Sequence, residues 1–188
     1  MTLQRTEWMW LDDSDTVTLV ELSRASGMTV ADVGAGSGYH AFRMAKEVGE
    51  KGKILAVDIQ QEMLDLMAAR KKKDKVENVD LVLGTDQDPK LPAGTVDLVL
   101  MVDVYHELEF PYEMGEKLVA ALKPGGRLVF VEFRLEDDAV PIKVVHKMSE
   151  RQVMKEMAVF KEMEHKTTVK TLPWQHVIVF EKQKEGKK

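Results

Sequence analysis

Short β-branched runs alternate with amphipathic stretches along this chain of 188 residues. Met28 to Val33 is an apolar run of extended character, and after it Ala41, Met44, Ala45 and Val48 fall on one helical face. Lys53 to Val57 reads as a second strand closing on Asp58, and Gln61 to Lys72 as a helix that turns Met63, Leu66 and Met67 to a sheet. Pro111 to Leu122 is a further crossover helix, ended by Lys123-Pro124-Gly125-Gly126, where proline stops the helix and the glycines turn the chain. Ser149 to Phe160 is helical, with Ser149 and Gln152 as a capping box. Lys166 to Leu172 and His176 to Phe180 are strands separated by Pro173-Trp174. Ahead of all these, Asp15 to Ala25 reads as a leading helix capped by Ser14 or Asp15. Such alternation predicts a parallel sheet with helices on both faces.

The length suits one domain with a substantial core: an arm and helix over 1–27, a core over 28–182 and a frayed basic tail over 183–188. Net charge is −5, and the one basic cluster, Arg70-Lys71-Lys72-Lys73, sits where cations favour the end of a helix. Nucleic acid and membrane are therefore not expected partners, and a monomer or homodimer is. The absence of cysteine rules out disulfides, thiolate metal sites and cysteine nucleophiles. Met1 to Trp10 has no apolar leader core, so the cytoplasm is the expected compartment, although a removed leader would leave the same sequence.

The chemistry concentrates in Val30-Ala31-Asp32-Val33-Gly34-Ala35-Gly36-Ser37-Gly38-Tyr39-His40, at the junction of a strand and a helix. Glycines there allow a tight turn and a close ligand approach, and the next helix offers N–H groups to that ligand. A dinucleotide fingerprint needs its third glycine one residue later, where Tyr39 stands. Asp32, two residues before Gly34, would repel a pyrophosphate by roughly a kcal/mol or more and attract a cation by a similar amount. A ligand carrying an ammonium and a sulfonium fits that sign.

Asp32 to Gly38 resembles the first motif of class I S-adenosylmethionine-dependent methyltransferases of the small-molecule, metal-independent type. Leu81 to Asp86 resembles that family's third strand and adenine loop, Val96 to Asp103 its fourth strand, and Leu122 to Phe130 its turn and fifth strand. The resemblance implies a Rossmann-like, seven-stranded, mostly parallel sheet with an antiparallel C-terminal hairpin. It implies S-adenosylmethionine as cofactor, held by Asp32, Gly34, Ala35, Gly36, Gly38, Asp58, Ile59, Met63, Gly84, Thr85, Asp86, Val102 and Asp103. Asp58 is suited to the ribose hydroxyls. Where relatives carry a glycine and an aromatic, this chain has Ala158-Val159-Phe160-Lys161.

On the acceptor side the resemblance places Tyr105 and His106 beside the sulfur. His106 reads as a general base or acceptor-side hydrogen-bonding group, or else as a loop cap. Tyr105 lines the methyl path or covers the cofactor. Glu132 and Arg134 follow the fifth strand and face the same cavity or pair at the surface. His146 is a second acceptor-side candidate. Trp8 and Trp10 form an apolar lid or staple the arm down, and His40 lies near the cofactor's amino-acid end. No Asn-Pro-Pro-Tyr-like motif follows the fourth strand. Glu132-Phe133 is not the Asp-Asn pair of metal-dependent catechol-type enzymes, so no metal is expected. A small molecule methylated by in-line displacement is the expected acceptor. A catalytically silent cofactor-binding sensor or partner subunit and an aminopropyltransferase are the alternatives, the last because Asp103, Glu107 and Glu109 could hold a polyamine.

Overall fold

The computed structural model describes residues 26–184, so the leading helix, Trp8 and Trp10 lie outside the described residues. In chain order the elements are β1 (Thr29–Val33), α1 (Tyr39–Val48), β2 (Lys53–Asp58), α2 (Gln61–Asp74), β3 (Val79–Leu83), β4 (Val96–Val102), α3 (Pro111–Ala121), β5 (Leu122–Arg134), β6 (Lys147–Met148), α4 (Glu150–Met157), β7 (Met163–Val169) and β8 (Gln175–Lys182). Single 3-10 turns cover Tyr105–Glu107 and Val144–His146.

The sheet runs β3-β2-β1-β4-β5-β8-β7, with β6 against β5. Pairs among β1 to β5 are parallel, and β8 is antiparallel to both β5 and β7. This is the expected Rossmann-like architecture with its closing hairpin, and β6 adds an eighth strand of two residues. Alternate residues of the central strands enter opposite layers. Leu98, Leu100, Val129, Val131, Val177 and Val179 pack on the side of α1, while Val99, Met101, Leu128, Phe130, Ile178 and Phe180 pack on the side of α3 and α4. Burial on both faces explains why these strands read as continuous apolar runs.

Details differ from the pattern where tertiary packing decides. In α2 the buried residues are Leu64 and Met67, whereas Leu66 is 52 % exposed, because the helix is rotated by about one position from the face the periodicity favoured. The helix after Ser149 stops at Met157, and Phe160 instead fills the space above Gly115, where an added Cβ would lie 2.7 Å from its ring. The Ser149 cap forms, receiving the Gln152 N–H at 3.0 Å, but the Gln152 side chain turns to Glu156. β7 begins at Met163 and ends at Val169, both three residues before the expected limits. Lys123 to Gly126 are looped out of the β4–β5 ladder, since Val96 pairs with Leu122 and Leu98 with Arg127.

The order in which strands are added reverses between β1 and β4, which run parallel. The carboxyl ends of β1, β2, β4 and β5 therefore surround one crevice, where ligands of open α/β sheets bind.

Candidate functional site

The loop after β1 is held open by its glycines. Gly34 and Gly38 take φ of 77° and 80°, and a Cβ would fall 2.4 Å from Val104 Cγ2 in the first case and 2.7 Å from Phe42 Cδ2 in the second. The Gly34 and Ala35 N–H groups both donate to the Val57 carbonyl at 2.9 Å, and Gly36 N–H donates to Asp58 Oδ2 at 2.8 Å. Asp58 Oδ1 receives Gln60 N–H at 2.9 Å, so this buried carboxylate braces the loop from the carboxyl end of β2. Gly34 itself stays exposed, presenting bare backbone.

Asp32 is 2 % exposed and accepts the Ala41 N–H in the first turn of α1. The helix terminus expected to receive the ligand is thus partly satisfied by the protein's own carboxylate, which makes it a poorer phosphate site. Asp32 Oδ2 is buried without a hydrogen-bond partner. Burial pushes this carboxyl up to about 7; the Ala41 bond opposes the rise and the charge of Asp58 adds to it. A buried acid with one unused oxygen is suited to a cationic group.

Farther along the crevice, Ile59 is 59 % exposed and Leu83 is 49 % exposed, at the ends of β2 and β3. These two aliphatic side chains present apolar surface beside the crevice; in the sequence Leu83 reads as the last core position of its strand. Gly84 N–H donates to the Asp58 carbonyl at 3.0 Å. Thr85 Oγ1 accepts the Asp88 N–H at 3.0 Å and so shapes the following turn, with Asp86 exposed on it. Met63 is half-buried at the start of α2, as is Val102 at the end of β4.

Asp103 adopts φ 52° and donates its N–H to Val131 at 2.8 Å. Its carboxyl receives the Gln175 amide, and Oδ1 is buried without a partner. Burial, then the charge of Glu132, hold it well above the usual carboxylate range, with His106 opposing.

The loop after β4 is organised by Glu132, which is fully buried. Its Oε1 accepts Tyr105 N–H at 2.8 Å and Val104 N–H at 3.3 Å, and its Oε2 lies 2.6 Å from His106 Nδ1. Because a carboxylate only accepts, the His106 proton is placed on Nδ1 and the Nε2 lone pair points away from Glu132. Nε2 is buried and has no hydrogen-bond partner, a cost of about 1–3 kcal/mol unless a ligand meets it. Burial alone would lower the imidazole pKa; the bond and charge of Glu132, with Glu107 and Asp103, outweigh this and raise it.

His146 joins the group from a distant segment. β6 pairs in parallel with β5, setting Lys147 beside Phe133, so the preceding His146 comes alongside Glu132. Its ring meets that of His106 edge to face, centroids 5.6 Å apart. Gln175 and His176, both 1 % exposed, line the neighbouring edge from the start of β8. Their only sequence signal is a polar pair at the head of an apolar strand.

Two candidates go elsewhere. The Tyr105 ring packs on Phe130 with centroids 4.6 Å apart and its hydroxyl bonds to Glu156, so it belongs to the core beneath α4 and not to the methyl path. The Arg134 guanidinium donates to the carbonyls of Leu172 (2.9 Å), Gln175 (2.8 Å) and Pro173 (2.5 Å), clamping the β7–β8 turn instead of facing an acceptor. His40 is held neutral, down to about 4, by burial and by Arg43.

The methyltransferase-domain family model matches residues 24–187. A tRNA U34 carboxymethyltransferase of Pseudoalteromonas translucida is 33 % identical over 135 residues, 71 % of this chain and 39 % of that protein. A demethylmenaquinone methyltransferase of Lactococcus lactis is 24 % identical over 115 residues, 61 % of this chain and 46 % of that one. The chain spans less than half the length of these curated relatives. Among solved structures, a SAM-dependent methyltransferase from Aquifex aeolicus superposes with a TM-score of 0.81 and 27 % identity, covering 89 % of each chain.

Proposed function

The chain belongs to the class I S-adenosylmethionine-dependent methyltransferases, and from that premise we propose that it methylates a small molecule presented to His106. The observation that carries the proposal is the His106–Glu132 pair, with Nε2 unpartnered, in the crevice beside the glycine loop. S-adenosylmethionine supplies an electrophilic methyl on a sulfonium that is already a good leaving group. Asp32, with its unused Oδ2, suits the cationic end of that cofactor, Asp58 the ribose hydroxyls, and Ile59 and Leu83 the adenine. What remains for the protein is to align the acceptor, exclude water and manage the acceptor's proton. Glu132 fixes the tautomer of His106 so that a lone pair faces the acceptor. Net charge −5 gives little support to an extended nucleic-acid surface.

Calorimetric titration should show micromolar binding of S-adenosylmethionine and S-adenosylhomocysteine and none of NADH. With a panel of small oxygen and nitrogen nucleophiles, read as S-adenosylhomocysteine formed, His106→Ala should lower turnover about 10²-fold or more at unchanged cofactor affinity. Turnover with tRNA alone would overturn the acceptor assignment, and loss of cofactor binding in His106→Ala would overturn the role of that residue.

Asp58→Ala is expected to weaken cofactor binding by about 1–3 kcal/mol, because ribose hydroxyls lose their acceptor and Gly36 N–H loses its brace. Unchanged affinity would confine Asp58 to the loop.

A further inference from the structure

We propose that His106, Glu107 and His146 form a binding site for a divalent transition-metal cation, which holds an oxygen of the acceptor. The inference rests on the reading that His106 faces the acceptor, and it names what His106 Nε2 meets there.

One ligand atom from each of the three residues lies within 4.8 Å of the other two. His106 Nε2 and a Glu107 carboxylate oxygen are 3.9 Å apart. Atoms bound at about 2.0–2.2 Å to one ion sit roughly 3–3.5 Å from each other. The Glu107 side chain is 57 % exposed and free to swing inward by the remaining distance. Two histidines and one carboxylate are the donor set of open divalent sites, where three protein ligands leave positions for a substrate.

Two observations separate this group from a chance gathering. The His106 side chain is 3 % exposed, yet its Nε2 has no hydrogen-bond partner and lies 3.9 Å from a Glu107 carboxylate oxygen. Its other nitrogen is held by a buried carboxylate, Glu132 at 2.6 Å, the arrangement that orients metal-ligating histidines and raises their basicity. β6 completes the set: a two-residue strand that pairs with β5 and delivers His146 to the group.

A cation here would polarise an acceptor hydroxyl so that its proton leaves to water. The oxygen's electron pair then forms the bond to the methyl carbon, and the pair of the broken carbon–sulfur bond returns to sulfur. Hydroxyl compounds with a second oxygen nearby are the acceptor class this favours, since two oxygens can fill the open positions.

The test uses the full chain, tag-free and stripped with chelator, titrated with Zn²⁺ by calorimetry and with Co²⁺ by visible absorbance. One equivalent of each should bind at micromolar concentration or tighter. His146→Ala should weaken binding at least about 100-fold and Glu132→Gln about 10–100-fold. Both variants should keep the melting temperature and S-adenosylmethionine affinity that report an intact fold. No Zn²⁺ or Co²⁺ binding by the wild type, or binding indifferent to His146→Ala, overturns the site. If cofactor binds and His106→Ala lowers turnover while no metal binds, only the cation falls. If the cofactor does not bind, the proposed function falls whatever the metal does.

Discussion

Glu132→Gln is expected to lower turnover by about 10²–10⁴-fold while leaving cofactor affinity nearly unchanged, because it reverses the tautomer of His106. Glu132 faces three donors: Val104 N–H, Tyr105 N–H and His106 Nδ1–H. A carboxylate satisfies all three with two oxygens. Glutamine fills the same volume but has an NH₂ where one oxygen stood. With its oxygen toward the two backbone N–H groups, the NH₂ meets His106 Nδ1. The imidazole then escapes a donor–donor clash by moving its proton to Nε2. With the amide flipped, two backbone donors face an NH₂ instead, which leaves more groups unsatisfied. The first arrangement is favoured, and it turns Nε2 from acceptor to donor, so that a proton or a cation can be taken there only after the tautomer is switched back at a cost. Steady-state turnover and imidazole ¹⁵N shifts test this together. A variant with normal turnover, or with the proton still on Nδ1, would show that Glu132 serves only to hold the backbone of the 3-10 turn.

The glycine loop after β1 was legible because it is local. Gly34, Gly36 and Gly38 lie within five residues, and their φ values explain why glycine is required there. Asp58 was legible too, since the end of β2 is set by a single run of apolar residues. A parallel sheet with helices on both faces followed from alternation of strand and helix, and its antiparallel closing hairpin from the family resemblance, while the two-residue β6 lacked enough length to show a period. The cluster around Glu132 was legible in its parts but not in its assembly. His106, Glu132 and His146 could each be named, but their meeting depends on β6 docking beside β5, a pairing no residue of β6 announces. Glu107 was seen as one acid among several and not as a neighbour of two histidines. Tyr105 and Arg134 misled for a common reason: residue type and position after a strand suggest an outward role, while Phe130 and Glu156 draw one inward and three carbonyls capture the other.

The second large effect concerns Asp32, where stability and cofactor binding are expected to move in opposite directions. Its carboxyl is raised from 3.8 to about 7 in the folded protein, chiefly by burial. A folded-state pKa above the unfolded one means that stability declines as pH rises from about 4 to about 7 and is then constant. The shift corresponds to about 4 kcal/mol above that window, taken as an upper bound. Asp32→Asn keeps an oxygen for the Ala41 N–H but carries no charge. The cofactor-free variant should therefore match the wild type near pH 4 and exceed it by up to about 4 kcal/mol at pH 8, read as a higher melting temperature. Cofactor affinity should go the other way. Between pH 5.5 and 7 the wild type has to lose the Asp32 proton before a cationic group gains its full attraction, so affinity climbs by up to about tenfold per pH unit. In the variant that slope vanishes and binding at pH 8 is weaker. Melting scans and calorimetric titrations over this range separate the possibilities. A variant that is no more stable at pH 8 would mean that Asp32 is never a buried charge. One that is more stable but binds S-adenosylmethionine as tightly as the wild type would mean that Asp32 caps α1 and does nothing for the cofactor.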